Sequence, residues 1–119
     1  CDLLALHKFW AHNMAQNKAG QPADVICSRN GHAYLIDCKV CTGKGFQLSR
    51  VEFNQASAME KWASCGNGFG LFAIKFGEEI IMVSYWALRA EMNVGRKNLP
   101  YNDLLLMGVP FERWVKTCK

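Results

Sequence analysis

The sequence predicts an α/β fold, with a mixed sheet of about five strands flanked by helices. Three observations predict it. β-branched and aromatic residues gather in short runs bounded by Gly, Asn and Pro. Apolar residues recur at helical spacing over 51–62. The two kinds of segment follow one another as helix, three strands, helix, two strands, helix. With 119 residues, half of them apolar, the chain suits one domain with a single packed core.

Residues 1–7 read as the end of a helix. A strand over 9–14 follows, with Trp10, His12 and Met14 on one side, and the polar stretch 15–22, containing Gly20 and Pro22, reads as a loop. Two β-rich runs, 23–28 and 33–40, flank Arg29-Asn30-Gly31-His32. Asn-Gly between such runs signals a two-residue hairpin, because a type I′ turn needs positive φ at both central positions. Residues 41–47 read as another glycine-containing loop. A helix is then expected from Leu48, with Ser49 as its cap and Glu52 closing a capping box. Its inward face carries Val51, Gln55, Ala58, Met59 and Trp62, and it stops near Cys65-Gly66. Runs 69–76 and 79–85 form a second strand pair across Gly77-Glu78. A short helix over 86–92, a basic turn at 95–97 and one or two short helices within 101–119 complete the chain. Leu104, Leu105, Leu106, Phe111 and Trp114 are expected in the core, with a subunit interface as the alternative.

The formal net charge of +4 fits contact with phosphate without requiring it; the C-terminal basic residues, among them Arg96 and Lys97, suit a backbone-binding strip or an ordinary solvated face equally well. No run of about eighteen apolar residues predicts a membrane span, and no secretory leader is recognised, so a cytoplasmic protein is expected. Asp2-Leu3-Leu4-Ala5-Leu6 reads as helix interior, and upstream residues are expected before it. Of the six cysteines, Cys38 and Cys41 form a C-x-x-C on a strand. Positions three apart on a strand face opposite ways, so buried free thiols are expected instead of a zinc site or disulfides.

The hairpin turn carries a chemical consequence. If Asn30 and Gly31 are the whole loop, Arg29 pairs with His32, Ile26 with Leu35, and Asp24 with Asp37. Two carboxylates directly opposite sit about 5 Å apart at Cβ and repel. A divalent cation between them would offset that repulsion, and hard oxygen donors suit magnesium. Lys39, two residues from Asp37, leaves the same face. Carboxylates, a metal and an ammonium are what phosphodiester hydrolysis needs. Gln55 interrupts the apolar face of the following helix, either to meet this polar patch or to reach solvent at the edge of the stripe.

Pro22-Ala23-Asp24 followed by Asp37-Cys38-Lys39 resembles the PD-(D/E)xK signature of nucleases, and Phe46-Gln47-Leu48-Ser49 with Gln55 beyond it is similar to RecU-type Holliday-junction resolvases; the archaeal Hjc-type enzymes share the broader layout. The resemblance spans roughly residues 9–85. It implies a restriction-endonuclease-like fold and a single nuclease domain over 1–119 from which the start of the first helix is missing. It implies a homodimeric enzyme that nicks four-way DNA junctions with magnesium, or manganese in its place, and no organic cofactor. By position, Asp24, Asp37 and the Cys38 backbone carbonyl would be the metal ligands, Lys39 would assist the attacking water and Gln55 would support the site. Asp37 stands where these resolvases usually carry glutamate, and the glutamate they present from the first helix would fall before Cys1. DNA contacts are expected from Asn17 and Lys18, from Lys44, and from Ser49 and Arg50; either lysine would serve equally as a solvated loop residue. The alternatives are another PD-(D/E)xK endonuclease of phage, repair or restriction type, and an inactive DNA-binding module of the same fold.

Overall fold

The computed structural model describes residues 2–14 and 23–118. Helix α1 (Asp2–Leu6) leads into β1 (Trp10–Asn13), followed by the hairpin β2 (Val25–Arg29) and β3 (His32–Cys41). Asn30 and Gly31 both have positive φ, 54° and 80°, and the register pairs Arg29 with His32 through to Val25 with Ile36. Strand β4 (Gly45–Gln47) and a 3₁₀ turn (Leu48–Arg50) precede α2 (Phe53–Ser64). The hairpin β5 (Leu71–Phe76) and β6 (Glu79–Ser84) runs straight into α3 (Tyr85–Asn93), which Ser84 caps by accepting a bond from the Ala87 N–H. Strand β7 (Asn98–Pro100), α4 (Tyr101–Met107), β8 (Val109–Pro110) and α5 (Phe111–Thr117) complete the order.

The main sheet has six strands in the order β1-β2-β3-β5-β6-β8. Only β3 and β5 are parallel among its described pairs, and α2 supplies the crossover between them. Strand alternation sorts the core into two layers. Leu35, Phe72, Ile74, Ile81 and Val83 face one way, into a layer built with Leu48, Met59, Leu88 and Leu104. Val25, Cys27, Ile36 and Met82 face the other way, against Leu4, Phe111, Trp114 and Val115. Arg29, beside the hairpin turn, binds this second layer together. Its guanidinium donates to the carbonyls of His7 (3.1 Å), Val115 (2.7 Å) and Cys118 (3.0 Å) and lies over the Phe9 ring at 4.3 Å.

Five expectations need correction. The main sheet gains β8, a two-residue edge strand ending in Pro110, which a proline-containing pair of residues does not announce. The expected loop 41–47 and the turn at 95–97 border a separate two-stranded sheet, where Gly45, Phe46 and Gln47 pair with Pro100, Leu99 and Asn98. Helix α2 starts later than expected, because Ser49 lies in the 3₁₀ turn and Glu52 is the N-cap, in a capping box with Gln55. Leu105 and Leu106 are exposed, although Leu104, Phe111 and Trp114 are core. Cys38 and Cys65 are exposed as well, while Cys27 and Cys41 are buried and all the described cysteines are free.

Gly108 sets the approach of α4 to the sheet edge. A Cβ there would stand 2.6 Å from the Met82 carbonyl oxygen and 2.7 Å from Val83 Cγ2, and the backbone has little room to yield. Gly108→Ala is expected to destabilise the protein by about 2 kcal/mol or more. Gly43→Ala, with open space around its position, should shift stability by less than about 0.5 kcal/mol. Urea unfolding midpoints of the two variants check this.

Candidate active site

Strand β3 runs on past the start of β2, so residues beyond Ile36 have β5 on one side but no backbone pair on the other. Asp24, one residue before β2, occupies that corner. Its N–H donates to the Ile36 carbonyl (3.1 Å) and its carbonyl accepts from the Met14 N–H (2.8 Å). Its side chain then turns toward β3, where Oδ2 accepts from the Cys38 N–H at 2.8 Å. A carboxylate thus continues the ladder where the backbone stops.

Asp37 and Lys39 lie on the face of β3 that Leu35 and Cys41 share, against the larger core layer. The Asp37 side chain is only 2 % exposed and that of Lys39 13 %. Asp37 Oδ1 accepts from Gln55 Nε2 at 3.2 Å. Lys39 Nζ lies 3.2 Å from Oδ2, an ion pair that lacks hydrogen-bond alignment and leaves this buried oxygen without a hydrogen bond. Gln55 is fixed from its other end, because Oε1 accepts from the Glu52 N–H (3.2 Å) at the start of α2. One amide therefore closes a helix terminus and holds a buried carboxylate.

The electrostatics are those of a strained acid. Burial pushes the Asp37 carboxyl up to about 6; Lys39 pulls it down, and the neighbouring Asp24 carboxylate pushes it up again. The net rise means that desolvation and like-charge repulsion together outweigh the ammonium. Among the described residues no three His, Cys, Asp or Glu side chains converge as a ligand set. The acidic partners at this spot are two.

The other expected residues lie around this centre. Lys44 is exposed in the bend between β3 and β4, and Ser49 is exposed in the 3₁₀ turn. Arg50 is half-buried, donating to the Val40 carbonyl at 2.9 Å and lying 5.7 Å over the Phe46 ring, so it braces the end of β3. Asn17 and Lys18 lie outside the described residues. Sequence reasoning missed the double engagement of Gln55, although its signal, Glu52-x-x-Gln55, was present in the chain. It also missed Asp24 as acceptor for the Cys38 N–H.

No family model and no curated protein matches this sequence. The fold has a solved counterpart: the structure of Hjc from Archaeoglobus fulgidus, a Holliday junction resolvase from an archaeal hyperthermophile, superposes with a TM-score of 0.70. The match covers 96% of this chain and 94% of that one, at 14% identity. The chain therefore shares the fold of that structure, a mixed sheet between helices, as the resemblance implied.

Asp37 makes stability depend on pH in a definite direction. Its folded-state value is raised, from 3.8 to about 6. The stability it contributes is fully present below about pH 4 and is lost as pH rises through about 6. In chelator, the melting temperature of the wild type should therefore fall between pH 5 and 7.5 relative to that of Asp37→Asn, whose amide does not titrate. A relative loss of about 1.5 kcal/mol is expected across that window, the rest of the effect falling between about pH 4 and 5. Parallel melting curves across that window would contradict the assignment.

Proposed function

We propose that this chain is a metal-dependent DNA endonuclease that nicks four-way junctions by phosphodiester hydrolysis. One observation carries the reading: a buried carboxylate, Asp37, held by Lys39 and Gln55 beside a second carboxylate, on a fold shared with a Holliday junction resolvase. Burying an acid next to another acid works against folding. Its presence, buried on a central strand of the sheet, points to a cationic ligand.

Asp24, Asp37 and the Cys38 carbonyl would hold magnesium, for which manganese can substitute. Strand geometry supports the third donor, because the N–H and C=O of one strand residue leave the same edge, and the Cys38 N–H faces Asp24. The buried, unbonded Oδ2 of Asp37 and an all-oxygen donor set fit a hard cation that keeps several of its waters. When bound, the ion supplies Lewis-acid stabilisation of the phosphate and an acidified water. Gln55 fixes the rotamer of Asp37. Lys39 places a positive charge beside Asp37, where it orients the attacking water and offsets charge that develops on phosphate oxygens. Lys44, Ser49 and Arg50 flank the site and would meet the DNA backbone, which positions a substrate without reading its sequence. Two copies of the chain would supply the paired nicks that resolving a junction requires, in a DNA-associated cytoplasmic role in recombination or repair. No described helix is long and apolar enough to cross a membrane.

That only two acids converge among the described residues favours a second reading, a DNA-binding module without turnover. A nicking assay on a four-way junction with magnesium separates the two, run beside linear duplex of the same sequence. Asp37→Asn and Lys39→Ala should each lower nicking on the order of 10²-fold or more, with junction affinity largely kept. Binding without nicking by the wild type would select the module. Preference for linear duplex would select another endonuclease of this fold.

A further inference from the structure

Beside the site, on the same side of the sheet, lies an open cavity of about 490 Å³ that none of the catalytic groups lines. Gln47, Leu48, Ser49 and Val51 form one wall, and Met92, Gly95, Arg96 and Lys97 form the other. The two walls come from segments distant in sequence and are locked together. Strands β4 and β7 pair, the Leu48 N–H donates to the Lys97 carbonyl (2.9 Å), and Gln47 Nε2 donates to Asn98 Oδ1 (2.9 Å).

The charges in this wall are unequal. Arg96 is neutralised by Glu91 at 3.3 Å and by a short contact with Asp103, so its guanidinium shapes the turn. Lys97 is exposed, and among the described residues no carboxylate pairs with it. The cavity therefore presents one uncompensated ammonium, the Ser49 hydroxyl and the Gln47 amide above an apolar floor. A lysine with neighbouring hydroxyl and amide groups is the chemistry that meets phosphodiester oxygens. Continuity with the site is structural. Arg50, within the same turn, bonds the carbonyl of Val40, the residue after Lys39, and the chain from Gln47 runs directly into α2, which delivers Gln55 to Asp37.

We propose that this cavity seats a backbone phosphate of the DNA strand cut at the Asp37 site, with Lys97 as its principal ligand and Ser49 beside it. This inference rests on the nuclease reading above and adds a second anchoring point to it, which sets where along the strand the cut falls.

The test is fluorescence anisotropy of a labelled four-way junction in chelator over a series of salt concentrations, with nicking measured in parallel. Lys97→Ala should weaken binding about 5–10-fold near 0.1 M salt and lower the slope of log affinity against log salt by about 1. Lys97→Arg should restore both, and nick positions should spread in Lys97→Ala. Lys116→Ala, on α5 at the opposite face of the sheet, supplies the control for net charge. An unchanged slope for Lys97→Ala, or a loss matched by Lys116→Ala, overturns the proposal. So does displacement of DNA by sub-millimolar inorganic phosphate at constant ionic strength, which would assign the cavity to a free anion. Wild-type nicking with no effect at Lys97 sinks this inference alone. Junction binding with the expected slope change but no nicking sinks the catalytic reading and leaves the phosphate seat standing.

Discussion

Everything at the site depends on the register of one hairpin. Asn30 and Gly31 adopt the left-handed conformations that a two-residue loop demands, and the residues around them then have no choice of partner. A slip of one position would turn every side chain of β3 to the other face. Asp37 and Lys39 would then point into the layer built by Leu4, Phe111 and Trp114, where Asp37 would lose the Gln55 amide, while Ile36 and Cys38 would face α2. The apolar residues on both faces of β2 and β3 oppose that slip. Hydrophobic sorting thus secures the position of the charged groups.

The site itself is held by groups that solve two problems at once. Asp24 meets the N–H of Cys38 at the point where the β2 ladder ends, so removing that carboxylate would also leave a strand donor unmatched. Gln55 closes the first turn of α2 and steadies Asp37. Lys39 offsets part of the electrostatic cost of the buried acid, though less than burial and Asp24 impose. The arrangement resembles other polar centres in which local instability is tolerated because the surrounding core is well packed.

The hairpin and the paired acids were legible because their information is local. A turn type, a two-residue period and fourteen positions of chain are enough to bring Asp24 to Asp37. The small sheet was not legible, since β4 and β7 have three residues each, and Gln47 meets its partner Asn98 only across α2, β5, β6 and α3. No periodicity builds up over three residues. The start of α2 was misplaced because Ser49 is the better N-cap residue type, and tertiary structure overrides that preference: Arg50 donates to the Val40 carbonyl, the segment forms a 3₁₀ turn first, and the helix starts after Glu52. Propensity alone does not see that bond. Gln55 stood out as a polar residue on an apolar face, and that anomaly proved the more informative signal than its spacing from the cap.

The bridging position of Gln55 also makes the opening turn of α2 and the acid centre a single mechanical unit. Fraying of that turn frees the amide and leaves Asp37 with one neighbour fewer, whereas any charge that draws Asp37 outward tugs on the helix end through the same side chain. Motion in the first turn of α2 is thereby linked to the state of the Asp37 carboxylate. The outer rim of the site and its floor would loosen or tighten together, a coupling of order with occupancy that one side chain is long enough to carry.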